Sequence, residues 1–337
     1  MKIDNKVKVM RSKVFFIRVD NVENRESVVI KLKELIKESC VLNFLDKKQN
    51  VVIKMHFGEV GNTGYVRPEY VRVICEGVSA REAKPFLSDT NTLYVGKRTN
   101  SQDHLELAYA HGFKPENVLA QVIIPDDTRK DNVKEINQKA EYVKTAKIAK
   151  VFWDADAIVG IAHFKGHIMT GFAGALKNLG MGCATRSGKL FQHSDIAPFV
   201  IAKNCKSCRV CIAVCPAKAI ILKEDKAFIN PVKCIGCASC IAACKYYAVE
   251  VKWESGGGLI QEKMIDYTQA VLSNKKGKTA FFNFCLKITK ECDCLAKDDP
   301  RVVPDIGILA SSDPVAIDKA SFDLLNETAG IDIFKQL

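Results

Sequence analysis

No stretch of the 337-residue chain approaches the roughly 18 uncharged apolar residues of a membrane-spanning helix, so no span is expected. The first residues, MKIDNKVKVMRSK, lack the apolar core and cleavage site of a secretory leader, which predicts a cytoplasmic protein. No G-x-G-x-x-G follows a predicted strand and no G-K-[ST] stands at Walker spacing, so neither a dinucleotide fingerprint nor a P-loop is legible. The formal charge is +11, yet no basic run is interleaved with aromatics. The lysines are spread along the chain, which argues against nucleic acid as the partner. The excess of positive charge fits an acidic redox partner protein or a small anionic substrate instead. A hydrophobic content of 47% and a charged content of 26% are ordinary for a globular protein.

What the chain does have is cysteine, 14 residues of it. In an unsecreted protein that argues for thiolate chemistry in a reducing, anaerobic or nearly anaerobic cell, rather than for disulfides. Eight of them fall in two runs, Cys205, Cys208, Cys211, Cys215 and Cys234, Cys237, Cys240, Cys244. This is the spacing of two-cluster ferredoxins, in which three cysteines of a run and the fourth of the other run hold each [4Fe–4S] cluster. One cluster is therefore expected on Cys205, Cys208, Cys211 and Cys244, and the other on Cys234, Cys237, Cys240 and Cys215. Zinc sites rarely use a C-x2-C-x2-C run. The runs are also an internal repeat, each predicting a cluster loop, a helical turn and a strand (Ile220 to Leu222, Val249 to Val251). The repeat is imperfect, since Pro216 follows Cys215 but Lys245 follows Cys244.

Strand and helix patterns alternate before these runs. Strands are predicted at Lys13–Val19, Val51–Met55, Pro85–Ser88, Val122–Ile124 and Ala157–Ala162. Helices are predicted from Glu26 to Leu45, from Pro68 to about Ala83, in a stretch capped by Ser101 or Asp103 that ends near His111-Gly112, and over about Val143 to Trp153. Cys40 and Cys75 read as packed core thiols, and His104 and His111 as surface or capping residues. Gly166 to Arg186 is glycine-rich, with Thr170 a candidate N-cap for a helix over Gly171–Leu179 whose start would attract an anion. After the cysteine runs, Glu254–Gly258 reads as a linker. A helix (Leu259–Leu272), strands at Thr279–Phe284 and Asp305–Ala310, and a helix from Pro314 follow.

Alternation of this kind implies an α/β fold, a mostly parallel sheet with helices on both faces. The two strands after the cysteine runs are too little for a core of their own. Residues 1–202 and 251–337 are therefore expected to form one discontinuous domain, with an α+β two-[4Fe–4S] ferredoxin-like module inserted at 203–250. Ligands of parallel sheets sit beyond the carboxyl ends of the strands. His56, Asp89, Asp126 and His163 all fall there.

The segments KMHFGEVGNTGYVRPEYVR, HFKGHIMTGFAGALKNLGMGCATRSGK, ECDC and VPDIGILASSDPVAIDKAS resemble the ferredoxin-containing members of a bacterial and archaeal family, "domain of unknown function 362". The likeness covers nearly the whole chain and implies an α/β domain with clusters and a redox role, but no assigned reaction. Catalytic candidates are His163, Lys165, His167 and Asp89, as proton donors or ligand-orienting groups. Candidates for holding a cofactor or an anionic ligand are His56, Thr63, Asn91 and Lys177. A second metal or thiol site is a candidate at Cys183, Cys285, Cys292 and Cys294. The leading expectation is an iron–sulfur oxidoreductase passing low-potential electrons to a site at the strand ends. An electron-transfer protein without its own substrate chemistry, or an iron–sulfur or metal-handling protein, are the alternatives.

Overall fold

The computed structural model describes residues 12–94, 96–193, 197–251 and 259–333. The linker expected at Glu254–Gly258 lies outside them. Apolar and β-branched runs form a central sheet of strands β1 (Val14–Arg18), β2 (Asn50–Lys54), β3 (Lys84–Ser88), β4 (Gln121–Ile123), β5 (Ala157–His163), β6 (Thr279–Cys285) and β7 (Gly307–Ser311). Their order across the sheet is β1-β7-β6-β5-β2-β3-β4. The five strands from β6 to β4 run parallel, while β7 is antiparallel to both β6 and β1. The mostly parallel sheet read from the sequence is what forms, and β6, from beyond the cysteine runs, lies inside it beside the central strand β5.

Successive strand residues point to opposite faces, and the two faces have separate cores. Val51 and Ile53, Val159 and Ile161, and Phe282 and Phe284 pack with Leu32 and Leu35 of helix Arg25–Ser39 and with Val71 and Ile74 of helix Pro68–Ser79. Val52, Ile158 and Phe281 face the other way. They pack with Leu179 of helix Ala175–Gly180, Ala270 of helix Ile260–Leu272 and Ile317 of helix Pro314–Ala329. Full burial of each Val, Leu, Ile or Phe among them contributes about 1.5–3 kcal/mol.

Several local expectations are corrected. The stretch predicted as a helix over Val143–Trp153 is a strand, Thr145–Ala149, followed by one helical turn, Lys150–Asp154. The strand pairs with Val133–Asn137, and this tertiary pairing overrides a helical pattern. The helix expected over Gly171–Leu179 starts only at Ala175, because Lys165–His167 and Gly171–Ala173 pair as a small hairpin. Its first amides, Ala175 and Leu176, donate to the carboxylate of Asp318 at 2.7 and 2.9 Å. The chain thus supplies its own anion there, and Thr170 caps nothing, donating its hydroxyl to the Phe172 carbonyl. Gly174 admits that carboxylate, since a Cβ would lie 2.2 Å from Asp318 Oδ1. Cys40 is exposed in a left-handed helix C-cap rather than packed in the core. Asn100, not Ser101 or Asp103, caps the next helix, Ser101–Ala110, accepting from the Asp103 amide at 2.9 Å.

The strands of the cysteine-bearing segment pair only with one another among the described residues. Phe199–Val200 pairs with Val249–Glu250, and Ile220–Lys223 with Lys226–Ile229. Helical turns at Val210–Ala213 and Ser239–Ala243 follow the two cysteine loops. The segment has its own buried cluster, with Ile220, Ile229, Ile241 and Val249 around Cys205, Cys211 and Cys240. Its pairing begins at Phe199, ahead of the boundary expected at 203.

Candidate functional site

Parallel strands deliver the residues that follow them to one edge of the sheet. At that edge lies a cavity of about 630 Å³. Strand β2 brings Lys54 and His56 to it, β3 brings Asp89 and Thr90, and β5 brings His163 and, just beyond, Lys165 and His167. Helix Ala175–Gly180 adds Lys177 and Asn178, helix Arg186–His193 adds Lys189 and His193, and a loop after β6 adds Cys292 and Cys294.

Most of the cations are buried and paired. Lys54 Nζ lies 2.9 Å from Asp89 Oδ1 and donates to Asn178 Oδ1 at 2.9 Å. Burial pushes the Asp89 carboxyl up, but the charges of Lys54, His104 and Lys189 outweigh it and leave it below the usual carboxylate range. Arg98 is held by Glu59 at 3.1 Å, by the Tyr94 hydroxyl and by His56 Nε2 at 2.7 Å. Burial, then the charge of Arg98, keeps His56 well below an ordinary histidine. Lys189 differs, since its hydrogen bonds go to Thr90 Oγ1 at 2.5 Å and the Asn91 carbonyl at 2.6 Å, both neutral. Burial lowers its ammonium to about 7.

Asp293 anchors the loop after β6. Its carboxylate meets His163 Nδ1 at 2.9 Å and Lys165 Nζ at 2.6 Å. The other nitrogen of His163 lies 2.8 Å from the Leu286 carbonyl, so both ring nitrogens face acceptors. Gly166 lets the loop come this close, because a Cβ there would lie 2.1 Å from the Lys290 carbonyl oxygen. Asp293 thereby turns the two flanking thiols into the cavity. The sulfurs of Cys292 and Cys294 and a ring nitrogen of His167 lie within 4.8 Å of one another. Lys177 Nζ is 3.4 Å from Cys292 Sγ. The hydrogen bond from Cys294, with Lys177 and Lys165, holds the Cys292 thiol well below the usual range despite burial. The same hydrogen bond and burial push Cys294 well above it.

Not all sequence candidates meet here. Thr63 is exposed and bonds Asp298 through its amide and hydroxyl at 2.5 and 2.7 Å. Asn91 is buried, its amide donating to Ser101 Oγ and the Pro125 carbonyl. Asp126 lies elsewhere, beside Arg186. Cys183 and Cys285 are fully buried outside the cavity lining, and burial pushes both thiols up to about 12. His104, read as a surface or capping residue, is wholly buried 3.8 Å from Asp89. His111 does cap its helix and stacks on Tyr65. Sequence reasoning missed Arg98, Lys189 and Asp293. A charge at Lys54, inside an otherwise apolar strand, was a legible signal.

Two smaller cavities lie in the cysteine-bearing segment. One is lined by Cys205, Cys208, Cys211 and Cys244, the other by Cys215, Cys234, Cys237 and Cys240. Backbone amides turn toward the sulfurs: Ala219 donates to Cys215 Sγ at 3.2 Å and Ala248 to Cys244 Sγ at 3.3 Å. Ser207, Arg209, Gly236 and Ala238 have positive φ, a conformation that lets successive backbone amides form a concave nest.

The sequence profile of the family described as "Domain of unknown function (DUF362)" matches residues 51–323. The chain belongs to that family. The DUF362 match runs from β2 through the cysteine runs into the last helix, and so spans every residue of the cavity. Among solved structures, the lactate racemase apoprotein from Thermoanaerobacterium thermosaccharolyticum is similar at 14% identity and a TM-score of 0.42, over 76% of this chain and 49% of that one. A Thermotoga maritima protein is similar at 10% identity and a TM-score of 0.44, over 95% of this chain and 61% of that one. The DUF362 chain thus spans about half of the first relative and three fifths of the second. A comparison with curated proteins finds no match. No helix of the described residues is long and apolar enough to cross a membrane.

Proposed function

We propose that this DUF362 protein is an iron–sulfur oxidoreductase that delivers electrons to a small anionic ligand held in the strand-end cavity. One observation carries the reading: Leu93 lines that cavity and is also buried in the core of the cysteine-bearing segment. Helix Arg186–His193 makes the same bridge, with Lys189 in the cavity and Leu190 against the Cys234–Cys237 loop. Cluster and ligand would then be separated by packed side chains rather than water.

The donor chemistry of the two small cavities fits [4Fe–4S] clusters. Each offers four thiols and inward backbone amides, and the two sets are those of two-cluster ferredoxins. When bound, such clusters supply single electrons at low potential. The protein's own residues do the rest. Leu93 and Leu190 exclude water between the two sites. Lys189, without a carboxylate partner in hydrogen-bond contact among the described residues, attracts the anion, and Lys54, Asn178 and Asp89 fix the floor beneath it. Lys203, Lys206, Arg209, Lys218, Lys233 and Lys245 are exposed around the cysteine loops. They favour an acidic redox protein as the electron source.

The test is anaerobic reconstitution with iron and sulfide, then reduction and timed reoxidation with and without small dicarboxylates and inorganic phosphate. About eight irons per chain and reoxidation dependent on an anion are expected. Full loading with reoxidation indifferent to every anion, but fast with an acidic acceptor protein, would make the chain an electron carrier instead.

A further inference from the structure

Cys292 and Cys294 belong to neither four-cysteine cavity, yet they are the most organised thiols outside them. The Leu295 amide donates to the Cys292 carbonyl at 3.0 Å, closing a turn around Asp293 and Cys294. The Cys294 amide also donates to Cys292 Sγ, at 3.4 Å. Asp293, between them, is fixed by His163 and Lys165, so the turn cannot swing away from the cavity.

Their surroundings favour sulfur redox chemistry over a metal. His167 Nδ1 accepts from the amides of Met169 and Thr170, each at 3.2 Å. A neutral ring so held carries its proton on Nε2. Neither nitrogen then offers a free lone pair to an ion, and Nε2–H is left as a donor. Lys177 places a further donor and a positive charge on Cys292 Sγ. The pair also lies beside the electron route. Leu93 is in the core of the cysteine-bearing segment, and the next residue, Tyr94, lies close enough to Cys294 and Cys292 to feel their charge.

We propose that Cys292 and Cys294 form a redox couple in the cavity, an intramolecular disulfide that accepts two electrons in succession from the iron–sulfur segment and becomes a dithiol. The source of the electrons rests on the function proposed above, and the couple itself does not. In the reduction the S–S bond breaks, two electrons enter, and one proton from the cavity goes to Cys294. Cys292 stays a thiolate, held by Lys177 and by the new Cys294 S–H. The two-electron couple lets a one-electron carrier serve chemistry that needs electron pairs.

Trypsin cuts after Lys290 and Lys297, releasing Glu291–Lys297 with both cysteines and no other. The loaded protein is equilibrated with mixtures of oxidised and reduced dithiothreitol, quenched in acid, alkylated and digested. The peptide should switch from an unalkylated form two hydrogens lighter than the dithiol to a doubly alkylated form. Starting from the disulfide, photoreduced deazaflavin should convert the peptide in the wild type and not in Cys237→Ser, which loses the four-thiol site nearest the cavity. A peptide that stays doubly alkylated even after treatment with the stronger thiol oxidant diamide overturns the couple. So does one protected from alkylation until a chelator is added, since a metal would then hold the thiols. Switching with dithiothreitol but not with deazaflavin establishes the couple and refutes the electron-delivery reading.

Discussion

Lys165 and Asp293 form a buried ion pair at 2.6 Å, although they stand on opposite sides of the cysteine-bearing segment in the sequence. With His163 as a third member, the pair ties the exit of β5 to the loop that follows β6. The cavity edge therefore depends on one carboxylate.

Replacing that carboxylate in Asp293→Asn leaves Lys165 and His163 buried without their anion, and should cost about 3–5 kcal/mol in urea denaturation at neutral pH. Burial pushes the Asp293 carboxyl up, but the charges and hydrogen bonds of His163 and Lys165 prevail and hold it below its unfolded value. Its contribution is complete above about pH 4 and drains as the pH falls from there toward the native value. The gap between wild type and variant should narrow in acid, and a constant gap from pH 7 to pH 3 would contradict the pairing.

His104 also costs stability in acid, chiefly through its burial. Burial drives it down to about 3, so the folded chain refuses a proton that the unfolded chain accepts near pH 6.5. Its share of stability is full above that value and is lost as the pH falls toward the native one. The wild type should lose up to about 1.4 kcal/mol per pH unit more than His104→Gln between pH 6 and 5. Parallel denaturation curves for the two proteins would show that His104 accepts its proton in the fold.

Lys189 sets the charge offered to a ligand. With its ammonium lowered to about 7 by burial, binding of a small dianion such as malonate should weaken up to about tenfold per pH unit above 7. Calorimetric titration should show weak, pH-independent binding in Lys189→Met. An identical pH profile in the two proteins would remove Lys189 from the site.

Cys208→Ser should halve the iron bound, from about eight to about four per chain. Cys75→Ser, which alters a thiol in the core between helix and sheet, should leave it unchanged. Iron analysis after anaerobic reconstitution separates the two.

The sequence carried the sheet well, because period-two alternation and glycine-bearing loops are local signals. It put His56, Asp89 and His163 at strand ends, and all three line the cavity. It could not show that His163 is committed to Asp293, a contact between residues remote in the chain. Nor could it show that Asp318 would fill the helix start at Ala175. Thr63 and Asn91 looked like ligand groups because short polar residues in loops serve ligands and backbone equally well. Here they serve Asp298 and the Ser101 helix. His104 misled for a related reason: its helix carries apolar residues on one face only, and the buried imidazole takes a place on that face.

Strand β6 lies between β5 and β7, and it is made after all eight clustered cysteines. Until Cys285 has left the ribosome, β5 has no partner on that side and the loop bearing Cys292 and Cys294 does not exist. The nascent chain therefore passes through a stage in which the thiol-rich segment is complete while the chamber beside it still stands open. That interval leaves the thiol-rich segment within reach of bulky partners that the last strand later shuts out.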